Sequence, residues 1–212
     1  MFYGFGPRQQ QLLQTLLENK SGLTVDELSK SLGITRTAVN QHLLALESSG
    51  YLTKGKLTKT GGRPGHTYVL TQQGYDLFPK QYAWFSQLLL DFLQKQLGDE
   101  GVEKYMSRLG LELAKTVKER IKGATPEERV VEVAAIMQEL GYDAYAEQTE
   151  NNISGIKAYN CVYHHLAQSH REVCQLDISL LSSLLSAEIK HTNCMAKGDS
   201  CCQFQVVHFR KK

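Results

Sequence analysis

The stretch TVDELSKSLGITRTAVNQHLLALESSG, residues 24–50, decides the fold of the N-terminal part of the chain. Thr24 followed by Glu27 forms a capping box, which predicts a helix that begins there and ends at Gly33. Thr35 can cap the next helix, directly after a tight turn. Two short helices joined by a tight turn are typical of a helix-turn-helix.

The sequence on both sides of this stretch completes a small domain. Residues 10–18 carry four leucines at helical spacing, Leu12, Leu13, Leu16 and Leu17. Residues 51–53 and 66–71 have the composition and alternation of two strands, and a basic glycine-containing loop joins them. Three helices followed by a two-stranded wing predict a winged helix-turn-helix over residues 1–78.

The chemistry of this domain favours double-stranded DNA, in the form of an operator, as the partner. Residues 1–80 hold nine Lys or Arg against five Asp or Glu, so the basic excess of the chain is local. The second helix of such a motif presents its first residues to base edges, and the wing contacts phosphates. The predicted base-facing residues are Thr35, Arg36, Thr37, Asn40 and Gln41. The predicted wing residues are Lys54, Lys56, Lys59, Arg63 and His66. A solvated face or a protein-binding surface is the alternative.

Composition restricts the class of protein. The chain has 212 residues, 42% hydrophobic and 22% charged, with a net charge of +2, as expected of a globular protein. Apolar runs are too short to cross a bilayer, and the N-terminus lacks the pattern of a secretory signal. We therefore expect a cytoplasmic protein without a membrane segment. Nucleophile-elbow, P-loop and dinucleotide-binding motifs are absent from the sequence, so we expect no enzyme.

The central residues, 79–141, have a helical pattern throughout. Residues 82–97 are apolar over more than one stripe, and Gly98 is expected to end this helix. A second helix is predicted over 102–121, and a third begins at the Thr125 cap. The first of these helices is the expected interface of a homodimer, because helix-turn-helix proteins commonly read two half-sites. Its alternative role is to join the two flanking domains.

Residues 142–212 predict a mixed sensor domain, which makes the whole chain α+β. Segments 142–149 and 153–160 are expected to form a hairpin around Glu150-Asn151-Asn152. Ser169 and Glu172 form a second capping box and predict a helix that begins there. A last hairpin is expected to join residues 188–194 and 201–209.

All five cysteines lie in the last quarter of the chain, which indicates metal or redox chemistry in a reducing compartment. Four of them occur at the ends of separate elements, and we expect a shared metal centre formed by Cys161, Cys174, Cys194 and Cys202. Strand alternation places Cys202, and not Cys201, on the apolar face with Phe204. The helix dipole is expected to favour the thiolate of Cys174. Possible alternates are His164, His191 and Cys201.

These residues resemble two known families. Segments 173–185 and 192–204, with the stretch TNCMAKGDSCCQF, resemble the vinyl-4-reductase type of small-molecule or metal-binding domain. Nearly the whole chain resembles the SufR-type repressors of iron–sulfur cluster assembly operons, with Asn160-Cys161 and Val173-Cys174 in the C-terminal domain. This resemblance implies a homodimer that binds an iron–sulfur cluster, [4Fe-4S], through C-terminal cysteines and represses its operon while loaded. Related zinc-binding sensor domains carry an acidic ligand where this chain has His191.

The sequence therefore predicts a DNA-binding transcriptional regulator that senses an iron–sulfur cluster, with a repressor of a cluster assembly operon as the specific expectation. The alternative is a regulator stapled by zinc that senses a small organic ligand in its C-terminal domain. A metal-free dithiol switch is a third hypothesis.

Overall fold

The computed structural model describes residues 4–58, 64–148 and 154–209. It divides the chain into two compact units, Met1–Gln81 and Tyr82–Lys212. Nearly all of segment 79–141, which the sequence analysis treats as a separate region, lies in the second unit. The overall class is α+β, as predicted.

The first unit is the expected winged helix-turn-helix. Its elements are α1 (Pro7–Glu18), α2 (Val25–Leu32), α3 (Arg36–Ser48), β1 (Leu52–Thr58), β2 (Gly65–Leu70) and α4 (Gln72–Asp76). Strands β1 and β2 pair antiparallel as the wing. Their side chains and those of the three helices enclose a core that includes Leu12, Leu16, Val39, Leu43 and Leu52. Lys59 and Arg63, predicted on the wing, lie outside the described residues.

Local capping positions the two helices of the motif. The Thr24 hydroxyl accepts a hydrogen bond of 3.3 Å from the Glu27 N–H. In return, the Glu27 carboxylate accepts one of 2.7 Å from the Thr24 N–H. Gly33 ends α2 with a φ of +62°, a conformation that costs glycine little. Thr35 caps α3 through the Ala38 N–H. The capping predictions for both helices are therefore confirmed.

The second unit begins with a long helical segment. Its helices are α5 (Tyr82–Val117), α6 (Pro126–Glu139), α7 (His164–Ser169) and α8 (Cys174–Leu185). Gly98 has a φ of +66° inside α5 and divides it into two straight parts, 82–97 and 99–117. The predicted break at Gly98 is thus confirmed, whereas the second part ends at Val117, a few residues earlier than expected.

The sheet of this unit has four antiparallel strands in the order β3-β4-β6-β5. These strands are β3 (Ala144–Gln148), β4 (Ser154–Ala158), β5 (Ala187–Asn193) and β6 (Cys202–Phe209). Buried side chains of α6, α8 and the sheet form one core around Phe204. Both predicted hairpins are present, and the turn expected at Glu150-Asn151-Asn152 lies outside the described residues.

The prediction that a helix begins at Ser169 is wrong, because the helix begins at Cys174. Ser169 is the last residue of α7, a short helix that the sequence analysis did not predict. A 3-10 turn, Arg171–Val173, then leads into α8, which has no side-chain cap. The capping signature is overridden here because Ser169 already belongs to a preceding helical turn.

Within the described ranges, no helix is both long enough and apolar enough to span a membrane.

Candidate functional site

The exposed face of α3 carries the residues predicted to read DNA. Thr35 precedes the helix, and Arg36, Thr37, Asn40 and Gln41 lie on it; all five are exposed. Val39 and Leu43 lie on the opposite face in the core, so the helix is held with its polar side outward. The structure thus gathers these five side chains on one surface.

The described part of the wing also carries its predicted residues on the surface. Lys54, Lys56 and His66 are exposed. The Lys54 ammonium lies 4.0 Å from a carboxylate oxygen of Glu47 on α3. Such an exposed pair adds little to stability, so the lysine remains available for a phosphate.

One contact on this surface was not expected from the sequence. Arg36 Nε lies 2.5 Å from a carboxylate oxygen of Asp26, a residue in the first turn of α2. The pair spans ten positions and joins two helices, so no local pattern reveals it.

The four predicted cysteine ligands come from four different parts of the second unit. Cys161 lies in the turn after β4, and Cys174 is the first residue of α8. Cys194 follows β5, and Cys202 begins β6. All five cysteines of the chain are free thiols.

Two groups of ligating atoms form where these elements meet. The sulfurs of Cys174 and Cys194 and a ring nitrogen of His191 all lie within 4.8 Å of one another. The Cys174 thiol donates a hydrogen bond to Cys194. In the second group the Cys202 thiol donates to Cys161, and Cys202 Sγ accepts from the Met195 N–H at 3.5 Å.

The two groups adjoin each other. Cys161 is close enough to Cys174 to act on it electrostatically, and Cys194 acts on Cys202 in the same way. The structure therefore brings together all four cysteines that the sequence analysis selected, with His191 beside them.

The thiols differ in acidity, and one expectation about them is wrong. The hydrogen bond from Cys202 lowers the pKa of Cys161 to about 6, and the Tyr163 N–H and His164 act in the same direction. Burial, together with Cys194, raises the pKa of Cys174. The helix dipole therefore does not hold Cys174 as a thiolate, because loss of water outweighs the dipole. The hydrogen bond to Cys161, followed by burial, raises the pKa of Cys202.

The three alternates differ in how well they are placed. Burial lowers the pKa of His191, so its ring is neutral and able to bind a metal, and its Nε2 atom has no hydrogen-bond partner in the described structure. His164, the first residue of α7, lowers the pKa of Cys161 through its electrostatic interaction with that thiol. Cys201 is buried, and its electrostatic interaction is with Lys157, whose pKa it raises, rather than with the other four thiols.

A cavity of about 360 Å³ opens onto the cysteines. Cys174, His191 and Cys194 form part of its wall, and the charged residues of the wall are Glu103, Arg171, Glu172 and Lys197. The ligand group is therefore reachable by small solutes.

A buried acid lies next to this region. Asp177 accepts a hydrogen bond of 2.6 Å from the Tyr142 hydroxyl inside the core. Burial raises the pKa of Asp177 to about 7, and Cys161 adds to this shift. The sequence analysis did not identify Asp177, because an acid three positions after Cys174 on an apolar helix has no signature of its own.

The first part of α5 exposes a broad apolar face. Its exposed large side chains are Tyr82, Trp84, Phe85, Leu88, Leu89, Phe92 and Leu97. On the other side of this segment, Asp91 Oδ1 lies 2.9 Å from Nε2 of the buried His170. His170 joins α7 to the turn before α8, so this contact ties the chain between Cys161 and Cys174 to α5.

The match to a protein-family model lies within the first unit. A helix-turn-helix (HTH) domain family model matches residues 8–66. No curated protein sequence matches the chain.

Several solved structures are similar in part. MepR, a transcription regulator of the Staphylococcus aureus multidrug efflux pump MepA, is 23% identical; the match covers 54% of this chain and 82% of that one, with a TM-score of 0.31. Transcriptional regulator Tm0710 from Thermotoga maritima is 25% identical; the match covers 56% of this chain and 79% of that one, with a TM-score of 0.32. An H-NOX protein from S. oneidensis in the Fe(II)NO ligation state is 14% identical over 94% and 98%, with a TM-score of 0.41. All three TM-scores are low, so these likenesses assign neither fold nor function.

The matched range, residues 8–66, extends from α1 to the start of β2 and so includes α2, α3 and β1. The chain therefore carries a winged helix-turn-helix domain, the class of domain with which transcriptional regulators bind DNA.

Proposed function

We propose that this chain is a cytoplasmic transcriptional regulator, and not an enzyme, whose DNA affinity depends on an iron–sulfur cluster bound by Cys161, Cys174, Cys194 and Cys202. The observation that carries the proposal is the meeting of four free thiols from four elements at one place. Thiolate sulfur is the ligand that such clusters prefer, and four cysteines match the ligand count of [4Fe-4S]. The resemblance to SufR-type proteins extends this to a repressor of a cluster assembly operon.

The residues fit such a group. A bound iron–sulfur cluster supplies a centre that is sensitive to oxidants and to iron shortage. Cys161 holds a thiolate at neutral pH without a metal, because its pKa is about 6. The remaining thiols are buried, and they lose their protons when they coordinate a metal ion, because its positive charge stabilises the thiolate. The cavity beside Cys174 and Cys194 gives oxidants a route to the site.

We infer that the state of the cysteine group reaches α5 through His170. The chain between Cys161 and Cys174 is held at both ends by ligands, and His170 lies within it. His170 contacts Asp91 on α5, and under this proposal the contact weakens when the cysteines lose their ligand. A ligand changes DNA affinity only by binding the competent state more tightly, and this contact is one element that can differ between the two states.

We further propose that the apolar face of residues 82–97 is the interface of a homodimer. Seven large apolar side chains are exposed along one helical segment, and a large exposed apolar patch marks an interaction site. This segment also follows the DNA-binding unit directly in the chain. Sedimentation of the full chain as a monomer at micromolar concentration would contradict the proposal.

The decisive experiment combines metal analysis with DNA binding. Anaerobically purified protein is expected to be brown and to contain iron and acid-labile sulfide. DNA affinity is then measured before and after removal of the cluster by a chelator under oxidising conditions, and we expect a fall of at least tenfold. Colourless anaerobic protein that contains zinc alone would rule out the cluster.

A specific observation favours a zinc site as the second candidate. The Cys174, His191 and Cys194 atoms already lie within 4.8 Å of one another, a spacing that suits three ligands of one tetrahedral ion. We propose Cys202, which Cys194 influences electrostatically, as the fourth ligand. Under this proposal the protein is a regulator stapled by zinc that senses a small organic ligand. Zinc removal is then expected to unfold the second unit, and His191→Ala to lower the zinc content, whereas a four-cysteine cluster is unaffected by that substitution.

A further inference from the structure

The ion pair between α2 and α3 lies on the surface assigned to DNA. One cleft of about 310 Å³ is lined by Asp26, Arg36 and Asn40 together with Gly65 and His66 of the wing. The Asp26 carboxylate thus shares this cleft with side chains from the recognition helix and from the wing. An acid on this surface repels phosphates and lowers affinity for any duplex.

Stability does not account for the pair. The side chains of Arg36 and Asp26 are 69% and 35% exposed, and ion pairs with that exposure contribute little to folding. Glu27, the next residue, already supplies the carboxylate that caps α2. Asp26, the other acid in the first turn of α2, is therefore not needed for that cap.

We propose that Asp26 is a positioning residue for sequence recognition, which holds Arg36 in the orientation needed to read a base. The inference rests on the proposed role of α3 as the base-reading helix. The 2.5 Å ion-pair contact is made at Nε of Arg36 and leaves its two terminal nitrogens, with their N–H groups, for the DNA. Those groups form the bidentate pair that arginine makes with guanine.

The pair has two effects that act together. Arg36 loses side-chain freedom in the free protein rather than on binding, which favours its specific contact. At the same time the Asp26 charge offsets that of Arg36, which weakens the attraction to the phosphates of any duplex, so that the positioned base contact makes up a larger share of the specific affinity. Asp26 thus raises the ratio of specific to non-specific affinity without touching a base itself.

The test uses the full-length protein and a duplex selected by it from a random-sequence pool. Affinity is measured for that duplex and for a scrambled duplex of the same composition. Asp26→Asn is expected to lower the affinity ratio about tenfold, with tighter binding of the scrambled duplex and a salt dependence about one unit steeper. Asp26→Glu keeps the carboxylate and is expected to retain most of the ratio.

Two controls separate positioning from charge and from folding. Glu18→Gln changes the net charge equally, at a carboxylate that accepts from Gln14 within α1, and is expected to leave the ratio unchanged. Arg36→Ala is expected to lower the ratio, and Asp26→Asn in that background to lower it no further.

The inference is overturned if Asp26→Asn leaves the ratio of specific to non-specific affinity unchanged. It is also overturned if the effects of Asp26→Asn and Arg36→Ala on that ratio are additive. Neither result contradicts DNA reading by α3. A wild-type protein that selects no sequence from the pool would overturn both the inference and DNA reading by α3.

Discussion

Cys202→Ser is expected to eliminate bound iron and acid-labile sulfide from the anaerobically purified protein. Cys202 points to the inner face of β6 with Phe204, and its thiol contacts Cys161, so it joins the two groups of ligands. A serine oxygen is a hard ligand that replaces a thiolate poorly on iron. Under the proposed function, DNA affinity of this variant should equal that of stripped wild-type protein, a loss of at least tenfold.

The chain supplies its own matched control for this substitution. Cys201 is the preceding residue, is equally buried, and acts on Lys157 rather than on the cysteine group. Cys201→Ser is therefore expected to keep wild-type iron, sulfide and DNA affinity. If the two variants have the same iron and sulfide content, the assignment of Cys202 as a cluster ligand is wrong. The two substitutions remove the same atom from neighbouring positions, so only the location of the lost sulfur differs.

Gly110→Ala is expected to destabilise the second unit by roughly 3 kcal/mol. A Cβ atom at Gly110 would lie 2.3 Å from the carbonyl oxygen of Leu176, which is backbone of α8 and cannot rotate away. The helices α5 and α8 must separate to admit the methyl group, and every core contact between them weakens. This cost exceeds the gain of about 1 kcal/mol that alanine brings to a helix interior.

Urea-induced unfolding followed by the fluorescence of Trp84 measures this effect, because Trp84 is the single tryptophan and belongs to the same unit. Arg108→Ala is the control: Arg108 is an exposed residue of the same helix, two positions away, and its loss should change stability by less than about 0.5 kcal/mol. A Gly110→Ala midpoint equal to that of the control would show that the close approach of α5 to α8 is not rigid.

The first unit could be predicted in detail because its signals are local. A capping box at Thr24, a glycine at position 33 and a cap at Thr35 each act within four residues, and tertiary packing reinforces them. The same kind of signal failed at Ser169, where a preceding short helix had already used that residue. Capping signatures indicate where a helix can begin, and packing decides whether it does.

The cysteine group could be predicted only in part. Strand periodicity predicts that Cys202, and not Cys201, shares a face with Phe204; in the structure Cys202 begins β6 on that buried face, whereas Cys201 precedes the strand and is also buried. The grouping of Cys174 with His191 and of Cys161 with Cys202 depends on how the helices dock on the sheet. The Asp26–Arg36 pair and the role of Gly110 likewise depend on distances between helices, which one sequence does not contain.

If the proposed cluster is bound, the acidity of Cys161 decides where its transfer to the metal-free protein begins. Transfer of a cluster from a donor is an exchange of one sulfur ligand for another, and a thiolate attacks far faster than a thiol. In the metal-free chain at neutral pH, Cys161 is ionised, whereas the pKa values of Cys174 and Cys202 are raised. Under the proposed function, assembly of the centre would start at the half-exposed sulfur of Cys161, in the turn after β4, and the buried ligands would follow.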